Sequence, residues 1–390
     1  MAITAVISPA ALNFAGNPIL VKATTDQSVA GTEKSFLRIV CEVRVETLPY
    51  YDVPVHFKEL SCPVEDKGTA EFNLSDAFQT VIRSALSMMD MNEPPADGGG
   101  HINKYYDATR EYRAYVYVYD VYLFENQEIA SEKKHVMPGV NQNYIYAIPG
   151  RLTDYEILTR SNILAEDLVA SKPLSRKPDM GIVYKGEEIL VPMVSTSSRT
   201  VSLSASVGGS NVASYSVLLD SNRLEYGKLA VSASSDGELF IANSYVSGTT
   251  GYYRTNTRGV HFLRFINGFG AVENIAVRAK DKLSYEVSGE THSLVQEIST
   301  RPTDRRYATK SQPVGVYELS SGYVPVRWAE WYVQELLTSP RVWIQIGDKW
   351  VPALIEAEDD CVIYDRTKPE MPHVDFTLRL AIDGVTGITW

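Results

Sequence analysis

The clearest pattern along the chain is an alternation of apolar and polar residues, which is typical of β-strands with one buried face. In residues 36–46 every second position is apolar, namely Leu37, Ile39, Cys41, Val43 and Val45, while the positions between them are mostly charged. Residues 112–124 differ, because both alternating sets are apolar or aromatic, and Tyr115, Tyr117 and Tyr119 share one of them. We therefore expect that strand to be covered on both faces, by a second sheet or by a partner chain.

Two segments have helical periodicity instead. Ser75 is a plausible N-cap, and the residues at helical spacing after it are apolar: Phe78, Val81, Ile82, Ala85 and Met89. A second helix is predicted near the C-terminus, with Pro325 in its first turn and an end at Ser339-Pro340. Its apolar face contains Trp328, Trp331, Tyr332 and Leu336.

Short polar turns divide the middle of the chain into hairpins. Asp236-Gly237 and residues 267–270 each separate two apolar runs, which indicates an all-β sandwich. We predict two connectors between domains. The first contains the pairs Lys172-Pro173 and Lys177-Pro178, and the second is the polar stretch of residues 297–313. The predicted fold is mainly β, with β-sandwich domains and a few short helices. Its domains are a β-rich one with one helix (1–175), an all-β sandwich (182–298) and a small α+β domain (299–390).

Composition narrows the classes of function. The chain has 390 residues, 37 of them basic and 48 acidic, for a net charge of −11. A nucleic-acid binder needs a basic face, so we expect no direct sequence-specific binding to nucleic acid, and the basic stretch 301–310 reads as a solvated connector. The three cysteines, Cys41, Cys62 and Cys361, form no Cys-x-x-Cys motif, and their odd number favours reduced thiols.

The N-terminal residues do not have the pattern of a secretion signal. The first basic residue is Lys22, and Pro9 and Asn13 interrupt the apolar run before it. The sequence also has no uninterrupted apolar run of about 18 residues. We expect neither a signal peptide nor insertion into a membrane.

Motifs for catalysis are missing from the sequence. There is no Gly-x-Ser-x-Gly and no phosphate-binding loop, and Gly98–Gly100 lacks the flanking strand and helix of such a loop. No two histidines lie three or four residues apart, and His101 beside these glycines reads as an ordinary loop residue. One acidic cluster lacks the spacing of a calcium loop and reads as a solvated turn: Glu356, Glu358, Asp359 and Asp360. We predict no catalytic residue, cofactor or metal, with a glycoside hydrolase using two carboxylates about 5–10 Å apart as an alternative.

The tryptophans allow two interpretations. Trp328 and Trp331 lie on the predicted helix, Trp343 and Trp350 lie on a hairpin, and Trp390 ends the chain. Such rings usually form the core of a small domain or a subunit contact. Exposed rings would instead stack on sugars, as in a carbohydrate-binding or receptor-binding protein.

Three segments together resemble proteins of one class. These are LSSGYVPVRWAEWYVQELLTSPRVWIQIGDKWVPALIE (319–356), SPAALNFAGNPILVKA (8–23) and HFLRFINGFGAVENIAV (261–277). They are similar to segments of tail-tip or baseplate (distal-tail-like) structural proteins of phages and prophages of the Bacteroides group. The resemblance implies β-sandwich domains, assembly as a ring around the tail axis, and no catalysis.

The resemblance and the residue patterns lead to one set of expectations. The chain is expected in the virion tail, made in the host cytoplasm, with copies of itself and other tail proteins as partners. We predict contacts with these partners at Tyr115, Tyr117, Tyr119, Trp328 and Trp331, because Tyr and Trp are enriched at interfaces. A host-surface glycan is the alternative partner.

Overall fold

Strands make up most of the described chain, as the alternating pattern predicts, and the fold is mainly β with short helices. A computed structural model describes residues 3–46, 56–87, 89, 91, 111–139, 142–154, 156, 173–195, 197–220, 223–244, 246–286, 289–293, 306–310, 314–357 and 371–381. The predictions for Gly98–Gly100, His101, Glu358, Asp359, Asp360, Cys361 and Trp390 lie outside these residues.

The first region contains two facing sheets and one helix. Its elements are β1 (Ile3–Ile7), β2 (Leu12–Phe14), β3 (Leu20–Thr25), β4 (Lys34–Glu46), β5 (His56–Pro63), β6 (Thr69–Asn73), α1 (Ser75–Ser87), β7 (Tyr112–Phe124), β8 (Gln127–Ala130), β9 (Lys134–His135) and β10 (Ile145–Ile148). One sheet has the order β1-β3-β6, and the other has the order β2-β10-β7-β4-β5, with β8 and β9 paired to β7. The alternating apolar positions of β4 and β7 and the predicted apolar face of α1 share one core between the sheets.

The second region is a sandwich of two sheets, but the predicted hairpins do not build it. The strands on either side of Asp236-Gly237 lie in different sheets, so a hairpin there is wrong, and the strands around residues 267–270 do pair but belong to the third region. It consists of β11 (Gly181–Tyr184), β12 (Glu188–Ser195), β13 (Arg199–Val207), β14 (Ser210–Leu219), β15 (Arg223–Ala230), β16 (Gly237–Asn243) and β17 (Val246–Arg254). A five-stranded sheet, β11-β17-β16-β13-β14, packs on the pair β12-β15. Val191, Met193, Leu203, Leu229 and Tyr253 are buried between them.

The third region is a closed barrel. Its elements are β18 (Val260–Ile266), β19 (Val272–Glu286), β20 (Gly289–Ser293), β21 (Arg306–Lys310), β22 (Val314–Ser320), α2 (Val326–Trp331), a π-helical turn (Tyr332–Leu336), β23 (Val342–Ile346), β24 (Lys349–Ala357) and β25 (Asp375–Leu380). The barrel order is β18-β19-β22-β25-β24-β23, and β18 closes it by pairing with β23. The predicted apolar face of α2 is buried in its core.

The barrel joins segments from two of the predicted domains. Its first two strands, β18 and β19, precede residue 299, at which the predicted C-terminal domain begins. A hairpin signal is local, whereas the choice of the strands that flank a hairpin depends on contacts distant in sequence. The closed pairing was therefore not predictable from the turn residues alone.

All three regions meet in one shared apolar cluster, which we call the junction. The first region contributes Phe14 and Ile148, the second Leu224 and Tyr226, and the barrel several residues that include Phe269 and Trp343. The ring centroids of Phe14 and Phe269 are 5.7 Å apart. A buried contact of this kind fixes how the regions are arranged, because packed side chains leave little room to slide.

Candidate contact surface on the N-terminal sheet

The two faces of β7 have different environments. Tyr112, Ala114, Val116 and Val118 point into the core between the sheets. On the other face Tyr119 is 8% exposed, while Tyr115 and Tyr117 are half-buried. Within the described part of one chain, the second sheet covers only the inner face of β7, and coverage of the outer face by a partner chain stays a prediction. The outer aromatic positions are covered in part by neighbouring side chains and are otherwise open to solvent.

Residues from three strands, β5, β7 and β9, and from one loop form this outer surface, which we call the tyrosine face. It consists of Tyr115, Tyr117, Tyr119, His135, Tyr144 and Phe57. The rings of Tyr115 and Tyr117 are nearly parallel, with centroids 6.4 Å apart and an interplanar angle of 9°. Tyr144 lies 4.2 Å from Tyr115, and His135 lies 5.3 Å from Tyr115 and 5.1 Å from Tyr117, between centroids. These contacts hold the rings in place, which lowers the entropy that a partner contact would cost.

Cations lie over several of these rings. The guanidinium of Arg113 is 4.1 Å from the Tyr144 centroid, and that of Arg44 is 5.9 Å from the centroids of both Tyr117 and Phe57. The Lys133 ammonium is 5.1 Å from the Tyr119 centroid. Such cation–π contacts stabilise exposed rings by about 0.5–1 kcal/mol each.

Two carboxylates anchor the cations. Glu42, which is 2% exposed, accepts a hydrogen bond of 2.7 Å from Arg44 Nε and a second from Lys133 Nζ. Glu46 accepts one of 2.6 Å from Arg113 Nε. Burial raises the pKa of Glu42, but the hydrogen bonds from Lys133 and Arg44 and their charges outweigh it and lower that pKa below its ordinary value. The surface therefore presents ordered aromatic rings and paired charges of both signs.

Burial shifts the pKa of three ionisable rings of the tyrosine face. Burial raises the pKa of Tyr119, and the charges of Glu59 and Glu42 raise it further. Burial and then the hydrogen bond with Tyr115 raise the pKa of Tyr144. Burial lowers the pKa of His135. This shift favours the neutral form of His135, whose ring lies beside those of Tyr115 and Tyr117.

The two predicted tryptophan contacts lie elsewhere. Trp328 and Trp331 are 6% and 3% exposed in the barrel core, where their ring centroids are 5.4 Å apart. Trp328 Nε1 donates a hydrogen bond of 2.8 Å to the Asp179 carbonyl oxygen. Trp343 is also buried, at 2% exposed. These three rings are thus core residues in this chain, and the hypothesis that they form a platform for sugars is wrong. Their contact with a partner stays a prediction.

Sequence reasoning found Tyr115, Tyr117 and Tyr119 but missed the residues around them. His135 and Tyr144 come from segments after β8, and Arg113 carries no pattern that distinguishes it from other surface arginines. Only the pairing of β9 and β10 with β7 brings His135 and Tyr144 beside the tyrosines.

Three buried carboxylates interact with Arg176 or Lys177. Glu273, Glu335 and Glu187 are each 3% exposed. Asn267 Nδ2 donates to Glu273, Arg176 Nη1 donates to Glu335, and the Tyr184 amide donates to Glu187.

Within the described residues, no group of three or more His, Cys, Asp or Glu side chains is arranged to hold a metal ion. Glu356 of the predicted acidic cluster is exposed and pairs with Arg379 at 3.1 Å.

Comparisons with known proteins do not assign the chain to a family. No protein-family model matches the chain, and no curated protein matches it. Among solved structures, invasin, described as a bacterial integrin-binding protein, matches with 10% identity over 82% of this chain and 56% of its own, with a TM-score of 0.23. The BSP domain of a biofilm-associated protein has 9% identity over 82% of this chain and 64% of its own, with a TM-score of 0.18.

A third structure, dimeric latent PorU from Porphyromonas gingivalis, has 8% identity over 90% of this chain and 33% of its own, with a TM-score of 0.20. The chain thus spans about half the length of the invasin structure and a third of the PorU structure. TM-scores this low carry no argument about function. Among the described residues, no helix has the length and apolar character needed to cross a membrane.

Proposed function

We propose that the chain is a structural component of a phage tail tip or baseplate. It assembles as a homo-oligomeric ring in the virion tail, after synthesis in the host cytoplasm, and it contacts other tail proteins. It works through surface contacts and not through catalysis. The observation that carries this proposal is the tyrosine face, an ordered aromatic surface on the outer side of a sheet whose inner side is already core.

The composition of the tyrosine face favours a protein partner. Tyr and Arg are enriched at interface centres, and fixed rings lose little entropy on binding. Arg44 and Lys133 are exposed in part and are paired with Glu42, so charges of both signs lie beside the rings. A ring forms when one patch of each copy meets a different patch of the next copy, and mixed charges help to set that register.

The resemblance to tail proteins gains support from where its segments lie. Phe14 lies in segment 8–23, Phe269 in segment 261–277 and Trp343 in segment 319–356, and all three are buried in the junction. The Gly268 amide of segment 261–277 donates a hydrogen bond to Glu335 of segment 319–356. The resembling segments thus meet where the first region contacts the barrel, instead of forming three separate surface motifs.

The test is the mass of the purified full-length chain in solution, alone and with assembled tails. We expect a defined oligomer, or incorporation into particles when other tail proteins are present. Tyr117→Ala together with Phe57→Ala should weaken assembly at least about tenfold, equivalent to ~1.4 kcal/mol. Phe57 is 53% exposed, so its removal should leave the fold intact.

Tyr323→Ala is the matched control, because Tyr323 is 68% exposed on the barrel, away from the tyrosine face. It should leave assembly unchanged. Circular dichroism of all variants checks that the fold is retained. A chain that stays monomeric and is absent from purified particles would contradict the proposal.

A further inference from the structure

The middle sandwich has an outer face with an unusual composition. The inward residues of β13, which include Val201, Leu203 and Ala205, are buried. The outward residues between them are serines. Serines of β14 extend this row across the sheet, since Ser216 lies opposite Ser202 and Ser214 lies opposite Ser204, and we call the whole row the serine lane. The Ser202 and Ser216 hydroxyl oxygens are 3.2 Å apart and exposed. This half of the sheet therefore presents rows of hydroxyl groups to solvent.

The other half of the same face carries exposed apolar side chains. Tyr252 of β17 lies directly opposite Ile182 of β11, and Phe240 of β16 is diagonal to Tyr252, about 7–8 Å away by sheet geometry. Exposure is 38% for Tyr252, 44% for Phe240 and 46% for Ile182. Exposed apolar side chains grouped in this way indicate a binding surface.

A glycine sets the position of the Phe240 ring. A Cβ added at Gly248 would lie 2.5 Å from Phe240 Cζ, so the ring rests against the backbone of β17 at that point. Two ring atoms, Cζ and Cε2, lie next to this glycine, while 44% of the side chain remains exposed. An exposed aromatic ring held against a sheet is available for stacking.

Charge narrows the class of ligand. Three charged residues are described on this face: Glu238, which is exposed and lies directly opposite Tyr252, and Asp220 and Arg254 at strand ends. Arg254 is paired with Asp236 at 3.1 Å. The face therefore has no unpaired cation among its described residues and does not suit phosphate or other anions. Hydroxyl groups that donate and accept, next to open ring faces, suit a neutral polyhydroxylated ligand.

We propose that the outer face of the sheet β11-β17-β16-β13-β14 binds a neutral glycan. Sugar rings stack on Phe240 and Tyr252, and sugar hydroxyls exchange hydrogen bonds with the serine lane. This site is on a different region from the tyrosine face, so the glycan site and ring assembly are separate functions.

The experiment uses the full-length chain and a panel of neutral probes: maltohexaose, cellohexaose, xylohexaose, mannohexaose and chitohexaose. Calorimetric titration should give saturable binding to at least one of them. Phe240→Ala and Tyr252→Ala should each weaken that binding about tenfold or more, equivalent to ~1.4 kcal/mol. Ser202→Ala with Ser216→Ala should give a smaller loss.

Tyr323→Ala is again the control, because it removes an exposed aromatic ring from another surface. It should bind as the unmodified chain does. All variants should remain folded at the temperature of the titration, which thermal unfolding checks, because Phe240 and Tyr252 lie on the surface of the sheet. Failure of all five probes to bind at millimolar concentration would overturn the proposal, and so would binding that Phe240→Ala and Tyr252→Ala leave unchanged.

The mass of the variants separates this proposal from the proposed function. Phe240→Ala and Tyr252→Ala should assemble normally. If they instead abolish the oligomer, the patch is a contact between copies and the glycan proposal is overturned. If the oligomer is absent in every variant while glycan binding persists, the proposed function fails and the glycan site stands.

Discussion

Arg176 and Glu335 are hydrogen-bonded at 2.6 Å across 159 residues of sequence, from Nη1 to Oε1. Arg176 also binds Glu156 through Nε and Nη2, at 3.0 and 2.7 Å, and its guanidinium lies 4.0 Å from the Phe269 ring centroid. Glu335 in turn accepts from the Gly268 amide. One arginine thus links the connector before the sandwich to the barrel and to the turn that contacts the first region.

Removing this arginine should destabilise the junction strongly. Arg176→Ala leaves the carboxylate of Glu335, 3% exposed, without its cation, and loss of one partner of a buried pair costs about 3–5 kcal/mol. The measurement is urea unfolding of the purified chain. Lys22→Ala is the control, since the Lys22–Glu71 pair is nearly half exposed and should contribute at most about 1 kcal/mol. Equal losses in the two variants would refute this role of Arg176.

A close backbone approach at the junction should make Gly150 intolerant of any side chain. Gly150 has φ +94°, and a Cβ there would lie 2.1 Å from the Phe269 carbonyl carbon. Gly150→Ala therefore both strains the backbone and displaces the 267–270 turn. Gly208→Ala is the matched control, because Gly208 has φ +56° with open space around it and should lose only about 1–2 kcal/mol.

Thermal unfolding distinguishes the two glycine variants. Gly150→Ala should lower the midpoint well beyond Gly208→Ala, since only Gly150 faces another backbone. Similar midpoints would mean that the first region and the barrel separate without cost. In that case the junction would not hold the regions together.

The buried Glu273 should make stability depend on pH. Burial raises the pKa of Glu273, although hydrogen bonds from Ser175 and Asn267 and the charge of Lys177 oppose it, and the charge of Glu335 adds to the increase. A carboxyl whose folded pKa exceeds its unfolded value of about 4.3 binds its proton more tightly in the folded chain. The contribution of Glu273 to the stability of the folded chain is therefore complete below the unfolded pKa and is lost as the pH rises through the folded pKa.

Glu273→Gln tests that dependence, because the neutral side chain keeps the shape and the acceptor for Asn267. The free energy of unfolding of the variant minus that of the unmodified chain should grow as the pH rises from about 4 to 8. Urea titrations at several pH values measure it. A difference that shrinks with rising pH would show that Lys177 stabilises the charged form more than burial penalises it.

Local patterns were enough to predict individual elements. The alternation in residues 36–46 became β4, the apolar spacing after Ser75 became α1, and the aromatic spacing after Pro325 became the face that α2 buries. These predictions worked because the periods of a strand and a helix are short, so the residues of one element reveal its buried face. The tyrosines of β7 could be identified from the sequence for the same reason.

Which elements meet was decided only by the tertiary structure. The sequence by itself determined a mainly β chain with an aromatic strand, but not that β18 closes a barrel with β23 or that His135 and Tyr144 flank Tyr115. It also left open which aromatic rings are exposed: Trp328 and Trp331 became core, while Phe240 and Tyr252 face solvent. The physical reason is that burial depends on partners far apart in sequence, and residue periodicity carries no information about distant pairing.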